Sequence, residues 1–208
     1  VRVVLPQGSW SPQATADLGR SVGGVAARAA PRLHCSAGGV ALSYALRFPR
    51  GFRYSKGGTL PGLWTTGGVR AGFGWRAGGR THVYCTAGGI TRRAASLEGA
   101  CCFVGGQWHF LILRLESSGC VRAWVDDELV GECSALCEET ERGDELLPSA
   151  PPPVRPPSIQ PPAADTGILL TAFYGGATEE WAAPTDAYVD LGSFTLWEAQ
   201  ESYKESSM

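Results

Sequence analysis

The residues best suited to chemistry are concentrated between Phe48 and Cys85. The chain reads F-P-R-G-F-R-Y-S-K-G-G-T-L-P-G-L-W, then V-R-A-G-F-G-W-R-A-G-G-R-T-H-V-Y-C. Arg70, His82, Tyr84 and Lys56 are the candidate catalytic residues of this stretch. Trp64, Trp75, Arg76 and Arg80 are the candidate substrate-binding residues beside them. If 70–76 and 81–86 are strands, residues of equal parity share a face. Arg70 then sits with Gly72 and Gly74, and His82 with Tyr84. Whether the two sets face the same way depends on strand pairing. On one face they form a cationic, proton-transferring cluster. Breaking a uronic-acid polymer by elimination needs such a set. The proton on ring carbon 5 becomes acidic only when the adjoining carboxylate is neutralised by Arg, Lys or an amide. A Tyr or His then removes that proton, and a Tyr can protonate the departing glycosidic oxygen. This chemistry requires no metal and no cofactor.

Plainer readings compete. A Tyr and a His on strand faces are commonly edge-of-core residues, and Gly pairs around Arg are commonly turns. Asp126, Asp127 and Glu128 suggest a carboxylate pair for glycoside hydrolysis, but a solvated hairpin tip suits them better. The chain has no G-x-S-x-G, no phosphate-binding G-K-S/T loop and no H-E-x-x-H.

The elements that must position these residues are strands. Gly pairs at 23–24, 38–39, 57–58, 67–68, 78–79, 88–89, 105–106 and 175–176 separate short β-branched or aromatic runs. That spacing is the mark of a sandwich or barrel. Leu42, Tyr44, Leu46 and Phe48 alternate with Ser43, Ala45 and Arg47, which predicts one buried face. Trp108–Leu115 is apolar on both faces and predicts a strand in the middle of a packed sheet. Val121–Val130 predicts a hairpin with Asp126 and Asp127 at its tip. Eight prolines fall between Pro148 and Pro162. A segment so poor in donors predicts an extended or disordered insertion, at about 138–165, within one domain spanning 1–208.

Composition narrows the function. A formal net charge of -2 argues against nucleic acid as a partner, and no apolar run is long enough to span a membrane. Of the 18 basic residues only Lys56 and Lys204 are lysines. The sequence opens V-R-V-V-L-P, which reads as a strand, and shows no signal peptide. None of the seven cysteines forms a C-x-x-C pair, which disfavours a zinc ribbon. Adjacent Cys101–Cys102 and the C-x-x-x-C of Cys133 and Cys137 predict at least two disulfides, with Cys133–Cys137 as a local candidate. With them comes an extracellular or cell-wall location; buried reduced thiols are the alternative.

These segments together resemble polysaccharide lyase family 14. G-F-R-Y-S-K-G-G-T-L-P-G-L-W is similar to its F-x-x-x-K-G-G-K-L-P-G-L segment, and G-W-R-A-G-G-R-T-H-V-Y to its M-W-R-x-x-G-x-G-E-x-Y-x-Y. V-G-G-Q-W-H-F-L-I-L-R-L with C-V-R-A-W-V-D-D-E-L-V resembles its central strand pair. T-A-F-Y-G-G-A-T-E-E-W resembles its closing strands. The resemblance implies an all-β jelly-roll sandwich of two antiparallel sheets, with a concave groove for an acidic polysaccharide such as alginate or glucuronan. The chain would act as a monomer or as part of a larger chain. The family's catalytic set carries over unevenly. Thr59 stands at the family's lysine, Arg70 at its serine and Gly72 at its arginine. Tyr84 matches the first tyrosine, and Thr86 stands at the second. Two expectations follow: a lyase with a rearranged site, or a carbohydrate-binding or wall-matrix module derived from a lyase scaffold.

Overall fold

A computed structural model describes residues 1–10, 24–34, 38–87, 90–93, 95–96, 101–134, 165–175 and 179–199. The Pro-rich stretch, Cys35, Cys137 and the polar tail lie outside the described residues. The described chain runs β1 (Arg2–Leu5), β2 (Val25–His34), β3 (Val40–Arg47), β4 (Gly57–Thr65), β5 (Arg70–Arg76), β6 (Thr81–Ala87), β7 (Ile90–Arg93), β8 (Ala95–Ser96), β9 (Trp108–Leu115), β10 (Cys120–Val125), β11 (Glu128–Ser134), β12 (Asp165–Tyr174) and β13 (Ala187–Glu198). Its only helical pieces are two three-residue 3₁₀ turns, Ala77–Gly79 and Glu179–Trp181. Two antiparallel sheets result, ordered β1-β13-β3-β9-β10-β11-β8 and β2-β12-β4-β5-β6-β7. They form the all-β jelly-roll sandwich that the sequence predicts.

Alternation places the core. Leu42, Tyr44, Leu46 and Phe48 are fully buried, as are Phe73, Trp75, Leu111 and Leu113. An aromatic cluster holds one end of the sandwich: Phe48 lies 4.5 Å from Phe52 and 5.3 Å from Trp75, centroid to centroid, and Trp75 lies 5.5 Å from Tyr174. Each such side chain contributes about 1.5–3 kcal/mol by burial. The hairpin forms where predicted, with Asp126 and Asp127 at φ +51° and +67°, the left-handed pair of a type I′ turn. Asp126 is also more than a solvated tip, since its carboxylate accepts from buried His109 at 2.7 Å and from the Phe110 amide at 2.8 Å.

Two expectations are corrected. β9 is the middle strand of its sheet, but only one face is covered. Trp108 and Phe110 are exposed on the other, because no element lies over that face among the described residues. No disulfide joins any two of the described cysteines, and Cys101, Cys102 and Cys120 are free thiols. The Cys133–Cys137 candidate falls partly outside the described residues.

β4 carries a deformation that matters for the site. Its pairing with β5 slips between Thr59 and Gly62, and its pairing with β12 slips between Leu169 and Phe173. Pro61 has no amide to give a ladder, so a proline in an inner strand belongs at a bulge. The carbonyls freed there still need donors. The Tyr44 hydroxyl donates to Pro61 O at 3.0 Å, and the Thr171 hydroxyl donates to Leu60 O at 2.6 Å. The T-L-P-G run is therefore a pinned bulge in the floor of the sheet.

Candidate functional site

Strand register brings the predicted residues together. In β5 the odd positions Ala71, Phe73 and Trp75 are buried between the sheets, so Arg70, Gly72, Gly74 and Arg76 occupy the outer face. β6 pairs with Gly72 opposite Tyr84, Gly74 opposite His82 and Arg70 opposite Thr86. Arg70, His82 and Tyr84 thus share the outer face of the six-stranded sheet. Trp64 joins them, opposite Arg70 on β4.

Tyr84 lies flat across Gly72. A Cβ at Gly72 would meet the Tyr84 hydroxyl at 2.7 Å and its Cζ at 2.8 Å. Any side chain at this position would displace the ring. The phenol reaches over β5. Although the ring keeps partial exposure, the hydroxyl is enclosed, and burial pushes it up to about 12 against the lowering pull of Thr171 and Arg70. The phenol is protonated throughout the neutral range.

The other positions divide. His82 receives the Arg76 guanidinium at Nε2, 3.3 Å away. An arginine only donates, so this contact leaves that nitrogen without a proton. Arg76 also lies 5.4 Å over the Trp181 ring. Lys56, in the turn before β4, is exposed and ion-paired with Glu180, so it stands at the rim with its charge already met. Trp64 is half-buried with Arg28 stacked 4.8 Å over its ring. Arg80 is exposed on the β5–β6 turn, where its backbone bridges to Cys102.

Trp75 requires a correction. It is fully buried in the inter-sheet core, with its indole Nε1 donating to Tyr54 O at 3.0 Å. Parity puts it on the face opposite Arg70, so no sugar can reach it. Sequence reasoning also missed Arg28, Glu180 and Trp181. They come from strands or turns remote in sequence, and only pairing brings them here. Among the described residues, no group of three or more His, Cys, Asp or Glu could hold a metal ion, and no helix is long and apolar enough to cross a membrane.

With the face defined, the chain can be compared with known proteins. Residues 1–100 match the family model Polysaccharide lyase 14. That segment contains β1 to β8, and with them Arg70, His82 and Tyr84; β12 lies beyond it. A search of curated proteins finds no match. Solved structures with the same fold include a variant of alginate lyase Aly36B in complex with an alginate tetrasaccharide. It is 14% identical with a TM-score of 0.64, over 97% of this chain and 82% of that one. The PL-14 alginate lyase from Aplysia kurodai is 18% identical with a TM-score of 0.61, over 95% and 82%. Alginate lyase vAL-1 from Chlorella virus is 11% identical with a TM-score of 0.63, over 95% and 84%. At such identities these likenesses establish the fold alone. The lyase-14 match covers five of the six strands of that sheet, all but β12.

Proposed function

We propose that the outer face of the six-stranded sheet binds an acidic polysaccharide and cleaves it by β-elimination. The observation that supports this most is the convergence of Arg70, His82 and Tyr84 on one face, with the phenol seated over Gly72. Arg70 neutralises the uronate carboxylate in place of the arginine that Gly72 has lost. His82 takes the proton from ring carbon 5 at Nε2, whose lone pair Arg76 gives up as substrate enters. The double bond forms between carbons 4 and 5 as the bond from carbon 4 to the glycosidic oxygen breaks. Tyr84 donates its proton to that oxygen. A phenol held at about 12 suits a proton donor and not a resting base. Trp64, Arg76 and Arg80 contact neighbouring sugars, and Lys56 guards the rim. An extracellular or cell-wall setting, where polyuronates such as alginate and glucuronan occur, belongs to this reading.

A second reading, a binding module without turnover, is favoured by Thr59, Gly72 and Thr86 standing where the family places catalytic side chains. Incubation with alginate, glucuronan and related polyuronates separates the two. Cleavage creates an unsaturated sugar that absorbs near 235 nm, whereas binding alone gives no absorbance change. Absence of both binding and cleavage would overturn both readings.

A further inference from the structure

We infer that the outer face of the seven-stranded sheet is a second ligand surface, a trench along β3 that takes a linear, uncharged pyranose chain. Alternation builds it. On β3 the inward Leu42, Tyr44 and Leu46 leave Ala41, Ser43 and Ala45 on the outer side, a floor of small residues. β13 puts Trp197 beside Ala41, and β9 puts Arg114, Ile112 and Phe110 beside Ala41, Ser43 and Ala45. Trp108 stands at one end next to Arg47, whose guanidinium lies 4.8 Å over its ring. One strand further out, Trp124 on β10 stands opposite Ile112. Trp108, Phe110 and Trp197 are exposed. At the other end Trp124, Trp197, Arg114 and Asp127 line a cavity of about 420 Å³.

Dimensions and charge select the occupant. β13 and β9 flank β3, so the banks stand about 10 Å apart, backbone to backbone, and the Ala41–Arg47 floor runs about 20 Å. A helix with its side chains is about 10–12 Å across, too wide to reach the floor. A β-strand needs free ladder groups, and β3 has already given its own to β13 and β9. A chain of sugar rings needs neither width nor ladder. The C–H face of a pyranose packs on an indole, and beside the rings Asp127 can accept from sugar hydroxyls while Arg114 donates to them. The arginines of this face are already met: Arg2 and Arg47 by Asp190, Arg114 by Glu116, and Arg122 by Glu116 and Glu132. An anionic polymer would have to displace those carboxylates, whereas an uncharged one leaves them in place. An extended trench takes an extended chain, such as a β-1,4-linked glucan or mannan.

Cellohexaose and mannohexaose are the probes, titrated into the whole chain by calorimetry. At least one should bind, weakly, with an affinity that changes by less than about twofold between low and physiological salt. Trp197→Ala and Trp108→Ala should each weaken that binding by about fivefold or more. Both rings are exposed, so both variants should fold; should one fail to, the other decides. The same variants should leave alginate affinity within about twofold, because distant sites act independently, and saturating hexaose should not displace alginate. Absence of binding by both hexaoses would overturn the inference, as would binding that neither variant weakens. Displacement of alginate would put the neutral sugar on the face of Arg70 and overturn it equally. So would a dimer of the wild type that Trp197→Ala dissociates in sedimentation velocity, since the trench would then join two copies of this chain. If the protein binds no alginate, the polyuronate reading fails and the hexaose titrations still decide this one.

Discussion

Tyr84 carries the sharpest functional demand of any single residue. Removing its hydroxyl by Tyr84→Phe keeps the ring over Gly72 and removes the proton. Turnover should fall by about 10²–10⁴-fold with little change in polymer affinity, as measured by initial rates and by binding at equilibrium. The pH profile should also carry a sign. Tyr84 acts in its protonated form and its value is about 12, so its contribution is intact below that value and is lost only as pH rises through it. Any alkaline decline in rate well below pH 11 would assign the donor to another group. Gly72 sets a second test at this scale. Gly72→Ala puts a methyl where the Tyr84 ring lies; the ring is a movable neighbour, so the protein should fold and lose activity. Rates together with a crystal structure of the variant would read the displacement.

At the scale of the element, the β4 bulge and the β1-β13-β3 ladder make different predictions. Gly62 faces backbone: an added Cβ would meet Ala71 O at 2.0 Å. Unlike Gly72, this neighbour cannot swing aside. Gly62→Ala should therefore destabilise the fold by about 1–3 kcal/mol, the range for overpacking, as read by denaturant unfolding. In the other sheet, Asp190 lies in register between Arg2 and Arg47 on adjacent strands. Its carboxylate meets Arg2 Nε at 2.8 Å and Arg47 Nη2 at 2.7 Å. Hydrogen bonding to Arg2, then to Arg47, holds it below the usual carboxylate range against the cost of burial. A carboxylate lowered in the folded state stabilises above its unfolded value, about 3.9. That stability is lost as pH falls through the folded value. Thermal unfolding below about pH 4 should show this loss, and Asp190→Asn should flatten it.

For the whole molecule, charge distribution matters more than charge total. The formal net charge is -2, yet Arg28, Arg70 and Arg76 stand on or beside one sheet face. Exposed charges are screened beyond about 8 Å at physiological salt. Polyuronate affinity should therefore fall steeply between low and physiological ionic strength, and Arg70→Ala should make that fall shallower. A neutral polysaccharide of similar length should bind weakly and without this salt dependence. Equal affinity for both polymers, by calorimetry or gel retardation, would count against a carboxylate-reading face.

How much was legible in advance divides along physical lines. Alternation and turn residues are local, so the sequence alone determined the strands around Arg70, His82 and Tyr84, the Asp126–Asp127 hairpin and the Leu42–Phe48 core face. The K-G-G-T-L-P-G and F-Y-G-G runs, in that order, carried the family resemblance. Parity also separates Trp75 from Arg70, since residues five positions apart in one strand lie on opposite faces. That inference was available, and aromatic content obscured it. Pairing across distant strands is not local. Only the tertiary structure decided that β5 and β6 turn their polar faces the same way, that Lys56 is met by Glu180, and that Arg28 covers Trp64. Glu180 is the clearest case. It lies in a short turn 124 positions after Lys56, and no periodicity encodes a meeting across so much chain.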